Sequence, residues 1–112
     1  MVAVTDEFET WYGALDAEQQ ERIDFVVGLL EQVGPTLSRP YADTIRDSEY
    51  PNMKELRVQS QGNPMRIFFA FDPRRTAILL IGGDKTDDNR FYREMVRRAD
   101  ALYAAHLDEL EE

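Results

Sequence analysis

The chain contains no cysteine, which excludes disulfides, thiol nucleophiles and cysteine metal sites without fixing the redox compartment. Histidine is nearly as scarce. His106 stands alone between Ala105 and Leu107, so a multi-histidine zinc site cannot be built, and it reads as a helix-surface residue rather than a catalyst. No apolar run, Ala77 to Ile81 included, approaches the ~20 residues that a membrane-spanning helix needs. The N-terminal MVAVTDEFETW has no basic segment followed by an apolar one, so no secretory signal is expected and the cytoplasm is the default location. Gly82-Gly83-Asp84-Lys85-Thr86 lacks the spacing of a phosphate-binding G-x-x-x-x-G-K-[ST] loop. There is no G-x-S-x-G elbow and no convincing Ser/His/Asp set. Asp84, Asp87 and Asp88 hint at a divalent cation, yet the EF-hand spacing is missing and Lys85 and Arg90 compensate the charge. A solvated turn and a helix cap account for them better. No metal and no cofactor are expected.

What is present is an uneven distribution of charge. The net charge is -9 over 112 residues. Residues 1–52 carry eleven acidic and three basic side chains, whereas residues 53–98 carry six acidic and ten basic. Residues 99–112 add five acids and no base. The positive charge is thus concentrated in one stretch, which bears on what the protein contacts more than on its fold. Length and a hydrophobic fraction of 43% predict one ordered domain over residues 1–112, with no repeat or linker.

Residues 2–4 fit one short strand. Thr5 can then cap a helix whose first turn holds Asp6 and Glu7, with Phe8, Trp11, Tyr12 and Leu15 on one face. Asp16 and Gln19 form a capping-box pair ahead of the stripe Ile23, Val26, Val27, Leu30 and Val33, and Gly34-Pro35 stops that second helix. Residues 36–52 read as an irregular connection pinned over the core by Leu37, Tyr41 and Ile45. Strands follow at Met53–Gln59, Met65–Phe71 and Thr76–Ile81, joined by Gln61-Gly62-Asn63-Pro64 and Asp72-Pro73-Arg74-Arg75 into an antiparallel meander. Gly82-Gly83 should end the last strand. A final helix is expected from about Asp88, ending in a fraying acidic tail, DELEE. The order β-α-α-β-β-β-α predicts an α+β domain, a small mainly antiparallel sheet with two N-terminal helices and a C-terminal helix, all covering one face.

Alternation along the strands sorts the charged residues by face. Lys54, Leu56 and Val58 share one side and Glu55, Arg57 and Gln59 the other, while Arg66 lies with Phe68 and Ala70. An arginine opening an apolar strand must reach solvent, an acid or an anion. Pairing with Glu55 and contribution to a polyanion groove are both open to Arg57 and Arg66, and spacing does not separate them. The Arg74-Arg75 pair fits an exposed hairpin turn equally well.

The element order, together with YPNMKELR, PMRIFFAFDPRRTAILLIGGDKT and FYREM, resembles the RelE/ParE superfamily of bacterial toxins. The similarity is greatest to its phage-derived, HigB-like branch of type II toxin–antitoxin systems, and it covers nearly the whole chain. This resemblance implies a metal-independent, ribosome-dependent mRNA endoribonuclease working by in-line attack of a ribose 2′-hydroxyl. It implies catalytic roles for Lys54 (base or charge stabiliser), for Arg57 and Arg66 (phosphate) and for Tyr92. Lys85, Arg74, Arg75 and Arg90 would contact RNA, with Phe91 or Tyr92 stacking on a base. The implied partners are a helix-turn-helix, HigA-like antitoxin, the ribosome and mRNA. Two alternatives come with the same superfamily: a noncatalytic ParE-like toxin of DNA gyrase, and an attenuated homologue that only binds its antitoxin.

Overall fold

The computed structural model describes residues 1–86 and 90–111. The elements are β1 (Val2–Val4), α1 (Asp6–Gly13), α2 (Ala17–Val33), β2 (Ala42–Thr44), β3 (Lys54–Ser60), β4 (Asn63–Phe71), β5 (Ala77–Asp84) and α3 (Phe91–Glu111), with a 3-10 turn at Gly34–Thr36. They form one five-stranded sheet in the order β1-β5-β4-β3-β2. β1 runs parallel to β5, and every other pair is antiparallel.

The helix signals act as their chemistry requires. Thr5 Oγ1 accepts the Phe8 amide at the start of α1 and donates to the Leu80 carbonyl, tying the helix to β5. Asp16 and Gln19 close a reciprocal capping box on α2, and Gly34 ends that helix with φ +72°, a conformation open to glycine at little cost.

The helices do not share one face of the sheet, as the element order suggested. α1 and α2 pack on one side over Leu56, Val58, Met65, Ile67, Phe69, Ala77 and Leu79. α3 covers the other side over Met53, Phe68, Ala70, Ile78, Leu80 and Ile81. The reason lies in β4, where Ile67-Phe68-Phe69-Ala70 is apolar on both faces. A strand of that kind needs a helical layer above and below.

Three further differences follow from local geometry. Residues 42–44 form an edge strand, too short to show an alternation, while Leu37 and Tyr41 pack on one core and Ile45 on the other. β5 runs on through Gly82-Gly83 to Asp84. α3 holds to Glu111 through most of the acidic tail, and its expected start at Asp88 falls outside the described residues.

The β4–β5 pairing contains a bulge. Phe68 pairs with Ile81 and Phe69 with Leu79, leaving Leu80 without a partner. Leu80 and Ile81 therefore both join the core beneath α3, and the two glycines that follow are turned to opposite sides. The Trp11 ring of α1 lies where a Cβ on Gly82 would stand, and Phe91 of α3 lies against Gly83.

At the far end of the sheet, His106 is more than a surface residue. Its Nε2 lies 2.8 Å from Oδ2 of Asp72, whose Oδ1 accepts the amides of Arg74 and Thr76 in the β4–β5 turn. Burial alone would raise the Asp72 pKa. The His106 contact and the two amide donors outweigh it and hold the carboxyl below its usual range. A depressed folded-state pKa gives stability that is complete above the unfolded value, about 3.9, and fades as pH falls through the folded value. Asp72→Ala is accordingly expected to cost roughly 2 kcal/mol at pH 7. In urea titrations the deficit against wild type should shrink below about pH 4. An equal deficit at pH 7 and pH 3 would show that the carboxylate charge is irrelevant.

Candidate functional site

Near the N-terminus of α3, side chains from two strands, the segment just after β5 and the helix converge. The register places Arg57 of β3 directly opposite Arg66 of β4, and Arg66 opposite Gly83 of β5. Gly83 raises no side chain beside Arg66, so the guanidinium is not crowded from that strand. Glu55 precedes Arg57 by two positions and shares its face. Tyr92, in the first turn of α3, stands over this group.

The Tyr92 hydroxyl donates to Glu55 Oε1 at 2.7 Å and accepts from Arg66 Nε at 3.1 Å. Arg57 Nη1 donates to Glu55 Oε2 at 3.2 Å, and Arg66 Nη1 donates to the Met65 carbonyl at 3.0 Å. Lys85 Nζ lies 5.6 Å from the centroid of the Tyr92 ring, within cation–π range. Glu55 and Arg66 are both buried, whereas Arg57, Lys85 and Tyr92 are half-buried. Burial raises the Tyr92 pKa first, and its bond to Glu55 adds to this, against an opposing effect of Arg66. The phenol therefore remains neutral near pH 7 and keeps a proton to donate.

Three cations surround one carboxylate, so the patch is positive within a strongly acidic chain. Among the described residues, Ser60 Oγ is the one buried side-chain polar atom without a hydrogen-bond partner. Arg66 spends Nε on Tyr92 and Nη1 on the Met65 carbonyl, and its side chain is 6% exposed. An arginine fixed through Nε and Nη1 holds its planar fork in one orientation, from which it can meet an anion.

Of the residues that the resemblance singles out, Arg57, Arg66, Tyr92 and Lys85 lie together. Lys54 does not join them. It alternates to the opposite side of β3, and its ammonium donates at 3.0 Å to the carbonyl of Pro35 in the 3-10 turn after α2. The sheet separates it from Arg66. Phe91 is also unsuited to stacking on a base, because it is a core residue against Phe68 and Gly83. Arg74 and Arg75 are exposed in the β4–β5 turn, at the other end of β4 and on the order of 20 Å along the strands from Arg66. Arg90 is exposed just before α3. Asp84 accepts from Thr86 in a turn, and Asp87 and Asp88 lie outside the described residues.

The residue that sequence reasoning left out of the site is Glu55. Its only signal was the Glu-x-Arg spacing on one strand face, which is common in exposed ion pairs. What could not be foreseen is that Tyr92 would close over it. Among the described residues no three His, Asp or Glu side chains converge as metal ligands, and no helix is long and apolar enough to cross a membrane. An apolar groove of about 360 Å3 lies between β1 and the first two helices, across the sheet from this cluster.

A family model described as phage derived protein Gp49-like (DUF891) matches residues 10–104. The chain belongs to this family. Two relatives from Mycobacterium tuberculosis (strain ATCC 25618 / H37Rv) agree with that placement. The protein named "Putative toxin HigB2" is 41% identical over 98% of this chain and 56% of its own length. "Putative toxin HigB3" is 44% identical over 88% of this chain and 86% of its own. The Gp49-like chain thus spans just over half of the first relative. Among solved structures, the archaeal RelE-RelB complex from Pyrococcus horikoshii OT3 matches with a TM-score of 0.57 at 10% identity, covering 77% of this chain and 94% of that one. The RelB-RelE antitoxin-toxin complex from Methanococcus jannaschii gives 0.53 at 13%, covering 74% and 90%. At such identities the likeness is one of fold, and it bears out the α+β architecture; the family match and the two relatives bear out the HigB-like resemblance.

Proposed function

We propose that this chain is the toxin of a type II toxin–antitoxin pair and cuts mRNA on the ribosome. The observation that carries the reading is the cross-strand pair Arg57 and Arg66, set beside Tyr92 and Lys85 in a positive cluster on an acidic protein. In-line attack by a ribose 2′-hydroxyl forms a P–O2′ bond as the P–O5′ bond breaks, gives up the hydroxyl proton to solvent water and builds negative charge on the phosphoryl oxygens. Two guanidinium forks meet that charge from one side. The neutral Tyr92 phenol can protonate the departing 5′-oxygen, and Lys85 can hold the adjoining backbone. Lys54 cannot touch the same phosphate, so the role implied for it by resemblance does not transfer to this site.

A net charge of -9 opposes affinity for RNA in general. The basic side chains are gathered in residues 53–98, so a local positive surface can still meet RNA when the acidic N-terminal helices face away from it. The partners in this reading are a small helix-turn-helix, HigA-like antitoxin, the ribosome and mRNA, and the location is the cytoplasm. Expression of the chain alone should arrest growth and stop translation, and co-expression of an antitoxin from the neighbouring reading frame should restore both. Arrest accompanied by DNA breaks and intact mRNA would instead point to gyrase. A noncatalytic, antitoxin-binding homologue draws on one observation, that Glu55 already pairs both arginines. Such a protein would not arrest growth at all.

A further inference from the structure

Arg57 and Arg66 face each other directly across β3 and β4. Like charges in that position repel, and burial sharpens the repulsion. Glu55 is the one acid among the described residues that pairs with either of them. Its side chain is 6% exposed, with Oε2 on Arg57 and Oε1 on Tyr92 and Arg66. The contacts are unequal. The Tyr92 bond is short at 2.7 Å, while the two arginine contacts are 3.2 and 3.5 Å. Charge-assisted bonds in good geometry run about 2.7–2.9 Å, so the arginines are loosely held and the phenol firmly. Arg66 is also anchored to the Met65 carbonyl independently of Glu55, and Arg57 is the more exposed of the two, at 26% against 6%.

Two guanidinium forks around one oxyanion are equally the donor set for a phosphodiester. We infer that Glu55 is an internal counter-anion holding the place of a phosphate, and that an incoming phosphodiester takes over Arg57 and Arg66 from it. Glu55 is a positioning residue in this scheme. It keeps two like charges together in the empty site and sets a threshold that only a well-placed phosphate crosses, so stray anions bind weakly. The inference rests on the phosphate-binding reading of the site and adds a gate to it.

Calorimetric titration with inorganic phosphate tests the scheme on wild type, Glu55→Gln and Arg66→Ala. Glu55→Gln removes the competing charge at nearly constant shape. It is expected to bind phosphate at least about tenfold tighter than wild type, and its melting temperature should climb more steeply with phosphate. Arg66→Ala should lose binding. A folded Glu55→Gln that binds phosphate no tighter than wild type overturns the inference. Should that variant fail to fold, wild type carries the test by NMR. Saturating phosphate must then shift both the Glu55 carboxyl carbon and the Arg57 Nε resonances, and unmoved resonances overturn it. Neither measurement needs ribosomes or mRNA. A wild type that binds phosphate but leaves mRNA intact removes the nuclease reading alone, and active wild type with no gain in Glu55→Gln removes the gate alone.

Discussion

Arg66→Lys is expected to lower ribosome-dependent mRNA cleavage by roughly 100-fold or more, the range seen when one donor to a developing oxyanion is lost. Lysine keeps the charge and much of the stem but not the planar fork. It cannot hold Tyr92 as Nε does, reach the Met65 carbonyl as Nη1 does and keep the one orientation from which phosphate is met. The effect should fall on kcat more than on KM, because the lost contact matters most where charge develops. Thermal melting run beside the assay separates this from loss of fold. A variant that melts like wild type and cleaves at the wild-type rate would remove Arg66 from the chemistry.

Gly82→Ala should be the most costly of the glycine-to-alanine changes in this chain. A Cβ at that position would stand 2.3 to 2.5 Å from three atoms of the Trp11 ring, a separation that real contacts do not reach. Either the indole swings out and exposes its apolar face, or α1 lifts from β5. Overpacking of this kind costs about 2–3 kcal/mol, which is on the order of 10 °C in Tm at this size. Gly83→Ala, opposed by the flexible end of Met95 and the edge of Phe91, should cost less. Coupling tests the cause. In a Trp11→Leu background the Gly82→Ala penalty should fall by about half or more, and a penalty of unchanged size would mean that the ring is not the obstacle.

The legibility of the sequence depended on how local each signal was. Caps at Thr5 and Asp16, the stop at Gly34-Pro35 and the two hairpin turns are short-range chemistry and stand where the pattern placed them, save that the first turn tightens to Gln61-Gly62 and Asn63-Pro64 join β4. Strand faces followed from period-two alternation, so the separation of Arg57 from Lys54 was already implicit, while the meeting of Arg57 with Arg66 depended on the β3–β4 register. The resemblance placed Lys54 at the phosphate against that alternation, and the alternation prevailed. What stayed hidden depended on distant pairing. The parallel addition of β1 to β5, the bulge at Leu80 and the split of the helices between two faces arise from contacts that no window of sequence contains. Glu55 became central only because Tyr92, 37 positions later, closes over it. His106 likewise gained a partner, Asp72, from the opposite end of a hairpin.

The central claim is chemical, and 5′-end mapping of mRNA in a purified translation reaction meets it most directly. With wild-type protein, the account predicts new 5′-hydroxyl ends in register with codons, present with ribosomes, absent without them, and lost in Arg66→Lys. Intact mRNA from a folded protein at generous concentration, or ends that form equally well without ribosomes, would contradict it.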